Sequence, residues 1–93
     1  MALEVCTFEA KDGSAQAFVD AMNAGGAAAL AAAPGCRKVT ALAGVENPGT
    51  ALLLVEWDSV EAHEAAKSSD TFKQFAGIIG QFIGGAPSVL HYR

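Results

Sequence analysis

Ninety-three residues make one domain; 52% of them are hydrophobic and only 17% are charged, which excludes intrinsic disorder, a state poor in apolar residues and rich in charge. Six basic residues against ten acidic ones leave a net charge of −4. The basic residues are scattered, with only Arg37 and Lys38 adjacent, so the chain lacks the basic footprint that nucleic acid or an anionic membrane surface requires. So small a domain struggles to cover its own core, and the apolar excess asks for a surface buried by a second copy of the chain.

Glu4, Glu9, Lys11 and Asp12 interrupt the start of the chain before an apolar signal segment could form. The run from Gly25 to Ala33 is too short to span a bilayer and ends at Pro34. The expectation is a cytoplasmic protein in which Cys6 and Cys36 are reduced structural thiols. Zinc is not indicated, because there is no CxxC pair and His63 and His91 stand at no ligand spacing.

Leu3 to Ala10 reads as a strand, with Leu3, Val5 and Thr7 on one face and Glu4, Cys6 and Phe8 on the other. Lys11-Asp12-Gly13-Ser14 turns the chain, and Asp12 or Ser14 can cap the helix that follows. Ser14 to Ala33 reads as that helix, with Phe18, Met22, Ala29 and Ala33 on one face. Gly25-Gly26 weakens its middle and invites a kink, and Pro34-Gly35 ends it. Cys36 to Val45 reads as a second strand, with Val39, Ala41 and Ala43 opposite Lys38, Thr40 and Leu42. Glu46-Asn47-Pro48-Gly49 is a tight reversal into a third strand, Thr50 to Trp57, which makes an antiparallel hairpin. Asp58, with Glu61 reaching back, can cap a helix to about Lys67. Ser68 to Thr71 interrupts it, and a second stripe of Phe72, Phe75, Ile79 and Phe82 runs on to Gly84-Gly85. Ser88 to Tyr92 is the last strand.

The order β-α-β-β-α-α-β predicts an α+β, ferredoxin-like sandwich, an antiparallel sheet with helices on one face. The third strand is apolar at every position from Ala51 to Val55, whereas a sheet with one wet face alternates apolar and polar residues. Helices can cover one side of it. A partner sheet is the economical cover for the other, which predicts a homodimer through the sheet face.

This order of elements, with several short motifs, resembles the dimeric α/β-barrel superfamily, specifically the antibiotic biosynthesis monooxygenase-like (ABM) domains. The motifs are Pro34-Gly35-Cys36, the Asn47-Pro48-Gly49 turn, Val55-Glu56-Trp57, and Asp58-Ser59-x-Glu61-Ala62-His63 leading to Ser68-Ser69-x-x-Phe72. The resemblance covers nearly the whole chain and implies a single domain over residues 1–93, joined sheet to sheet with a second copy. It also implies a choice among cofactor-free oxygenases of aromatic or quinol compounds, haem-degrading oxygenases and isomerases, which the fold does not make. Haem degradation is disfavoured: the positions matching that branch's working residues are Cys6 or Thr7, Ala66 and Ala76, and Ala76, standing where the branch carries its histidine, cannot ligate iron.

A cofactor-independent monooxygenase needs only to bind an electron-rich ring, help remove a proton and exclude water. His63 and His91 are the candidate bases, since only their ordinary pKa suits that work near neutrality. Trp57, Phe72, Phe75 and Tyr92 are the candidate ligand-binding residues, with Phe82 a further aromatic for the wall, and no cofactor is called for. Each has a structural alternative: core packing for the phenylalanines, a pillar beneath a helix for Trp57, a surface position for either histidine. The competing functions are a non-catalytic dimeric binder of a small molecule, and an isomerase or cyclase.

Overall fold

The computed structural model describes residues 1–93. Its strands are β1 (Ala2–Glu9), β2 (Cys36–Ala43), β3 (Thr50–Trp57) and β4 (Ser88–Tyr92). Its helices are α1 (Ala15–Ala21), α2 (Ala27–Ala31), α3 (Val60–Ala66) and α4 (Asp70–Ile79). The four strands form one antiparallel sheet in the order β2-β3-β1-β4, and all helices pack on one face of it. The ferredoxin-like α+β layout expected from the sequence is the one observed.

The expected first helix, Ser14 to Ala33, is broken in the middle: a π-helical turn, Met22–Gly26, separates α1 from α2. Gly25 sits there at φ 158°, a backbone conformation that a side chain disfavours. The wide turn keeps Phe18, Met22, Gly26 and Leu30 on the buried side. Gly26 itself lies so close to Met22 and Ile78 that an added Cβ would crowd the methionine sulfur at 2.9 Å.

The helix ends differ from expectation in ways that have local causes. Ser14 occupies the N-cap position of α1 without a side-chain bond. Ser59, not Asp58, caps α3, its hydroxyl accepting from the Ala62 N–H at 3.0 Å. Asp58 instead pairs with Arg37 at 2.6 Å, tying the end of β3 to the start of β2. Ser69 caps α4 through the Phe72 N–H at 3.2 Å. That helix stops at Ile79 and gives way to a 3₁₀ turn, Gly80–Phe82, rather than running to Gly84. β2 ends at Ala43 because the Gly44 N–H already donates to the Thr50 carbonyl at 2.9 Å, closing the reversal.

Strand alternation sorts the sheet into two faces. Ala2, Glu4, Cys6 and Phe8 of β1, with Ala51, Leu53, Val55 and Trp57 of β3, are buried beneath the helices. Phe18, Met22, Leu30, Phe75 and Ile79 complete that core from above. The opposite face carries Leu3, Val5, Leu52, Leu54, Leu42, Leu90 and Tyr92, with Leu42, Leu90 and Tyr92 exposed. The doubly apolar character of β3 therefore corresponds to a helix-covered face and a face that no element of the chain covers.

Candidate functional site

Glu4 is the charged residue among the buried side chains of β1, and strand alternation leaves it no choice of face. Register places it between Val55 of β3 and His91 of β4. The same register turns His91 toward the helices while its neighbours Leu90 and Tyr92 point the other way. Above them runs α3, started by the Ser59 cap, and its His63 comes down over the end of β3. His63 is 2% exposed, and its ring stacks on Trp57 with centroids 4.8 Å apart and planes 13° from parallel.

These four side chains form one polar line. The Trp57 Nε1–H donates to Glu4 Oε1 at 2.9 Å. The same oxygen lies 3.4 Å from His63 Nε2. On its far side His63 Nδ1 hydrogen-bonds His91 Nε2 at 2.7 Å. A carboxylate beside Nε2 favours the tautomer with the proton there, because a carboxylate only accepts. His63 Nδ1 then carries a lone pair and accepts from His91. Burial pushes the pKa of His63 below its ordinary value, with the Glu4 charge partly opposing and Lys67 and His91 adding to the fall. A neutral imidazole is the resting form that follows.

The line borders a cavity of about 290 Å³ whose lining includes Glu4, Cys6, His63, Phe72 and Phe75. Nine of its thirteen lining residues are apolar. The volume stands at the lower end of the ~300–1,000 Å³ usual for ligand sites, so it suits a small, flat, largely apolar molecule with one polar group directed at Glu4 and His63. Phe72 and Phe75 meet edge to face, centroids 5.7 Å apart, and form the aromatic part of the wall. Cys6 opens onto the same space, but burial and then Glu4 push its thiol up to about 11, so it stays protonated and unreactive.

The residues singled out from sequence divide accordingly. His63, Phe72 and Phe75 line the cavity. His91 stands behind His63, half-buried. Trp57 is fully buried and acts as the donor that holds Glu4. Phe82 packs against the core. Tyr92 is not brought to this cavity; it lies 54% exposed on the opposite face of the sheet. His63 and His91, 28 residues apart, meet although their spacing matches no ligand motif. Glu4 is the residue that sequence reasoning missed. Its signal was a carboxylate at an inward strand position, in step with Cys6 and Phe8.

Comparison with known proteins gives the chain its relatives. The sequence model of the family described as antibiotic biosynthesis monooxygenase matches residues 1–77. No curated protein sequence matches. Among solved structures, a Bordetella bronchiseptica protein named after the same family superposes with a TM-score of 0.87 at 22% identity, over 99% of this chain and 94% of its own. A conserved protein from Methanosarcina mazei Go1 superposes at 0.76 with 20% identity, over 100% of this chain and 92% of its own. Rv0793 from Mycobacterium tuberculosis does so at 0.74 with 15% identity, over 99% and 92%. At these identities the structures share the fold.

Proposed function

We propose that this chain, which belongs to the antibiotic biosynthesis monooxygenase family, is a cofactor-independent monooxygenase of a small phenolic, enolic or quinol compound. The observation that carries this reading is the polar line Trp57–Glu4–His63–His91 set into the wall of an otherwise apolar, partly aromatic cavity.

The ring of the substrate lies against Phe72 and Phe75, with its hydroxyl or acidic C–H toward Glu4 and His63. Glu4, the acceptor of that pair, takes the proton while His63 Nε2–H beside it steadies the charge, and later returns it to the peroxide. The resulting phenolate or enolate is electron-rich enough to give one electron to dioxygen. The radical pair recombines as a carbon-bound peroxide, which loses water to leave a carbonyl. One oxygen atom of O₂ enters the product and the other leaves as water, both reduced by electrons from the substrate. The apolar wall supports this sequence by keeping bulk water from the peroxide.

The protein is further proposed to work as a homodimer joined through the apolar sheet face of Leu3, Val5, Leu52 and Leu54, a stripe that would otherwise face water. Trp57, buried under α3, is proposed as a positioning residue rather than a ligand contact. The test is oxygen uptake over a panel of anthrones and quinols, with product mass measured under ¹⁸O₂. Incorporation of one labelled oxygen by the wild type, lost in His63→Gln, is the expected result. Binding of these compounds without uptake would instead favour a binding protein, and conversion without oxygen an isomerase.

A further inference from the structure

We propose that His63, Glu64 and His91 form a binding site for a divalent transition-metal ion of the zinc type, at the outer end of the polar line. One ligand atom from each of the three lies within 4.8 Å of the others. Two imidazoles and a carboxylate are a donor set that suits zinc, cobalt or ferrous ions, while magnesium and calcium prefer oxygen alone.

The two imidazole nitrogens, His63 Nδ1 and His91 Nε2, already face each other at 2.7 Å, sharing one proton. Moving the proton of His91 to its other nitrogen leaves two lone pairs facing each other across the gap, so holding one ion between them requires the rings to part and tilt. Tetrahedral ligation with Zn–N bonds of ~2.0–2.1 Å sets such nitrogens about 3.3 Å apart, so the pair must open by roughly half an ångström. His91 supplies that opening. It is half-buried, and its strand β4 is a five-residue edge strand paired with β1 alone.

His63 stays fixed, clamped by its stack on Trp57. Behind it, Glu4 Oε1 lies 3.4 Å from the other ring nitrogen. A carboxylate in that place holds a metal-bound imidazole in the right tautomer and makes it a stronger donor. This carboxylate–histidine arrangement is an observation separate from the cluster itself. Glu64 is exposed and now holds Lys67 Nζ with both oxygens at 3.1 Å, an exposed ion pair readily exchanged for a metal. One buried ligand, one half-buried and one exposed give the ion a route in from solvent and leave coordination positions for water.

The untagged, metal-free chain is titrated with Zn²⁺ by calorimetry and with Co²⁺ by visible absorption. Expected are one ion per chain and the intense d–d bands of low-coordinate cobalt. Glu64→Gln, a surface change that leaves the fold intact, weakens zinc binding several-fold, and His91→Gln removes the cobalt bands. Glu4→Gln weakens zinc by roughly 10–100-fold without touching the ion. Less than one ion per chain, or Glu64→Gln and His91→Gln variants that bind as the wild type does, would overturn the site. No substrate enters these titrations, so their failure is distinguishable from failure of the oxygenase reading.

Discussion

Substituting Glu4→Gln separates the charge in the cavity wall from its shape. The amide oxygen can still accept the Trp57 N–H that Glu4 Oε1 now takes at 2.9 Å. What changes is the strength of that bond, from about 1.5–3 kcal/mol for a charged acceptor to about 0.5–1.5 for a neutral one. Against this loss of about 1 kcal/mol stands relief from holding a carboxylate that is 6% exposed, and removing a buried charge is often neutral or stabilising. Urea denaturation should therefore find the Glu4→Gln variant within about 1 kcal/mol of the wild type or above it. Trp57→Phe is the contrast. It takes the indole donor from the carboxylate, leaving only His63 Nε2–H at 3.4 Å, and costs about 1.5–3 kcal/mol for the bond alone. Oxygen uptake should fall by roughly 10²–10⁴-fold in Glu4→Gln, the usual contribution of a positioned base. A readout free of substrate is the pKa of His63 by NMR. Glu4 raises it against the effect of burial, so it should drop further in the variant. In both proteins the unfolded chain takes up the histidine proton first. The stability tied to a neutral His63 is present above the unfolded value of ~6.5 and is lost as pH falls through the lower folded value. Wild-type oxygen uptake in Glu4→Gln, or an unmoved His63 pKa, would refute the role given to the carboxylate.

Leu54→Lys puts a charge into the middle of the uncovered sheet face and should convert a dimer to a monomer in sedimentation velocity, with the helix-side core unchanged. Gly35→Ala should lower stability by more than ~1 kcal/mol, because Gly35 holds φ 82° and an added Cβ would stand 2.8 Å from the Ala62 Cβ; thermal melting reads this directly. With its pKa pushed up to about 11, Cys6 should resist iodoacetamide at pH 8 in the folded chain and react on unfolding, as peptide mapping would show.

The sheet was legible in the sequence because period-two patterning and turn chemistry act over a few residues. Thr50 to Trp57 and Ser88 to Tyr92 have the limits expected of them. The alternation of Val39, Ala41 and Ala43 against Lys38, Thr40 and Leu42 survives in the register. Helix ends were less legible, since Asp58 had two possible partners and only the packed chain chose Arg37 over the α3 backbone. The site divides the same way. His63 could be placed near a pocket by helical periodicity, and His91 opposite Tyr92 by strand parity. Their meeting could not be read, because it depends on β4 pairing with β1 and on α3 crossing above both. Glu4 was hidden by its neighbours in sequence: among Glu9, Lys11 and Asp12 it looks like one more surface charge, and only its parity marks it as buried.

The sheet also keeps two kinds of change apart. Along β1 every even-numbered side chain looks into the cavity side and every odd-numbered one looks away, and antiparallel register inverts that parity in β3. Substitutions at Cys6 or Leu53 can reshape what the cavity admits while leaving Val5 and Leu54 as they were, and the converse holds for the outer face. Ligand choice and self-association can thus drift independently on the same sixteen residues of two strands. A single-residue deletion within β1 would instead exchange the two faces at once, turning part of the strand over; a point substitution leaves the two-face pattern in place where a shift in length does not.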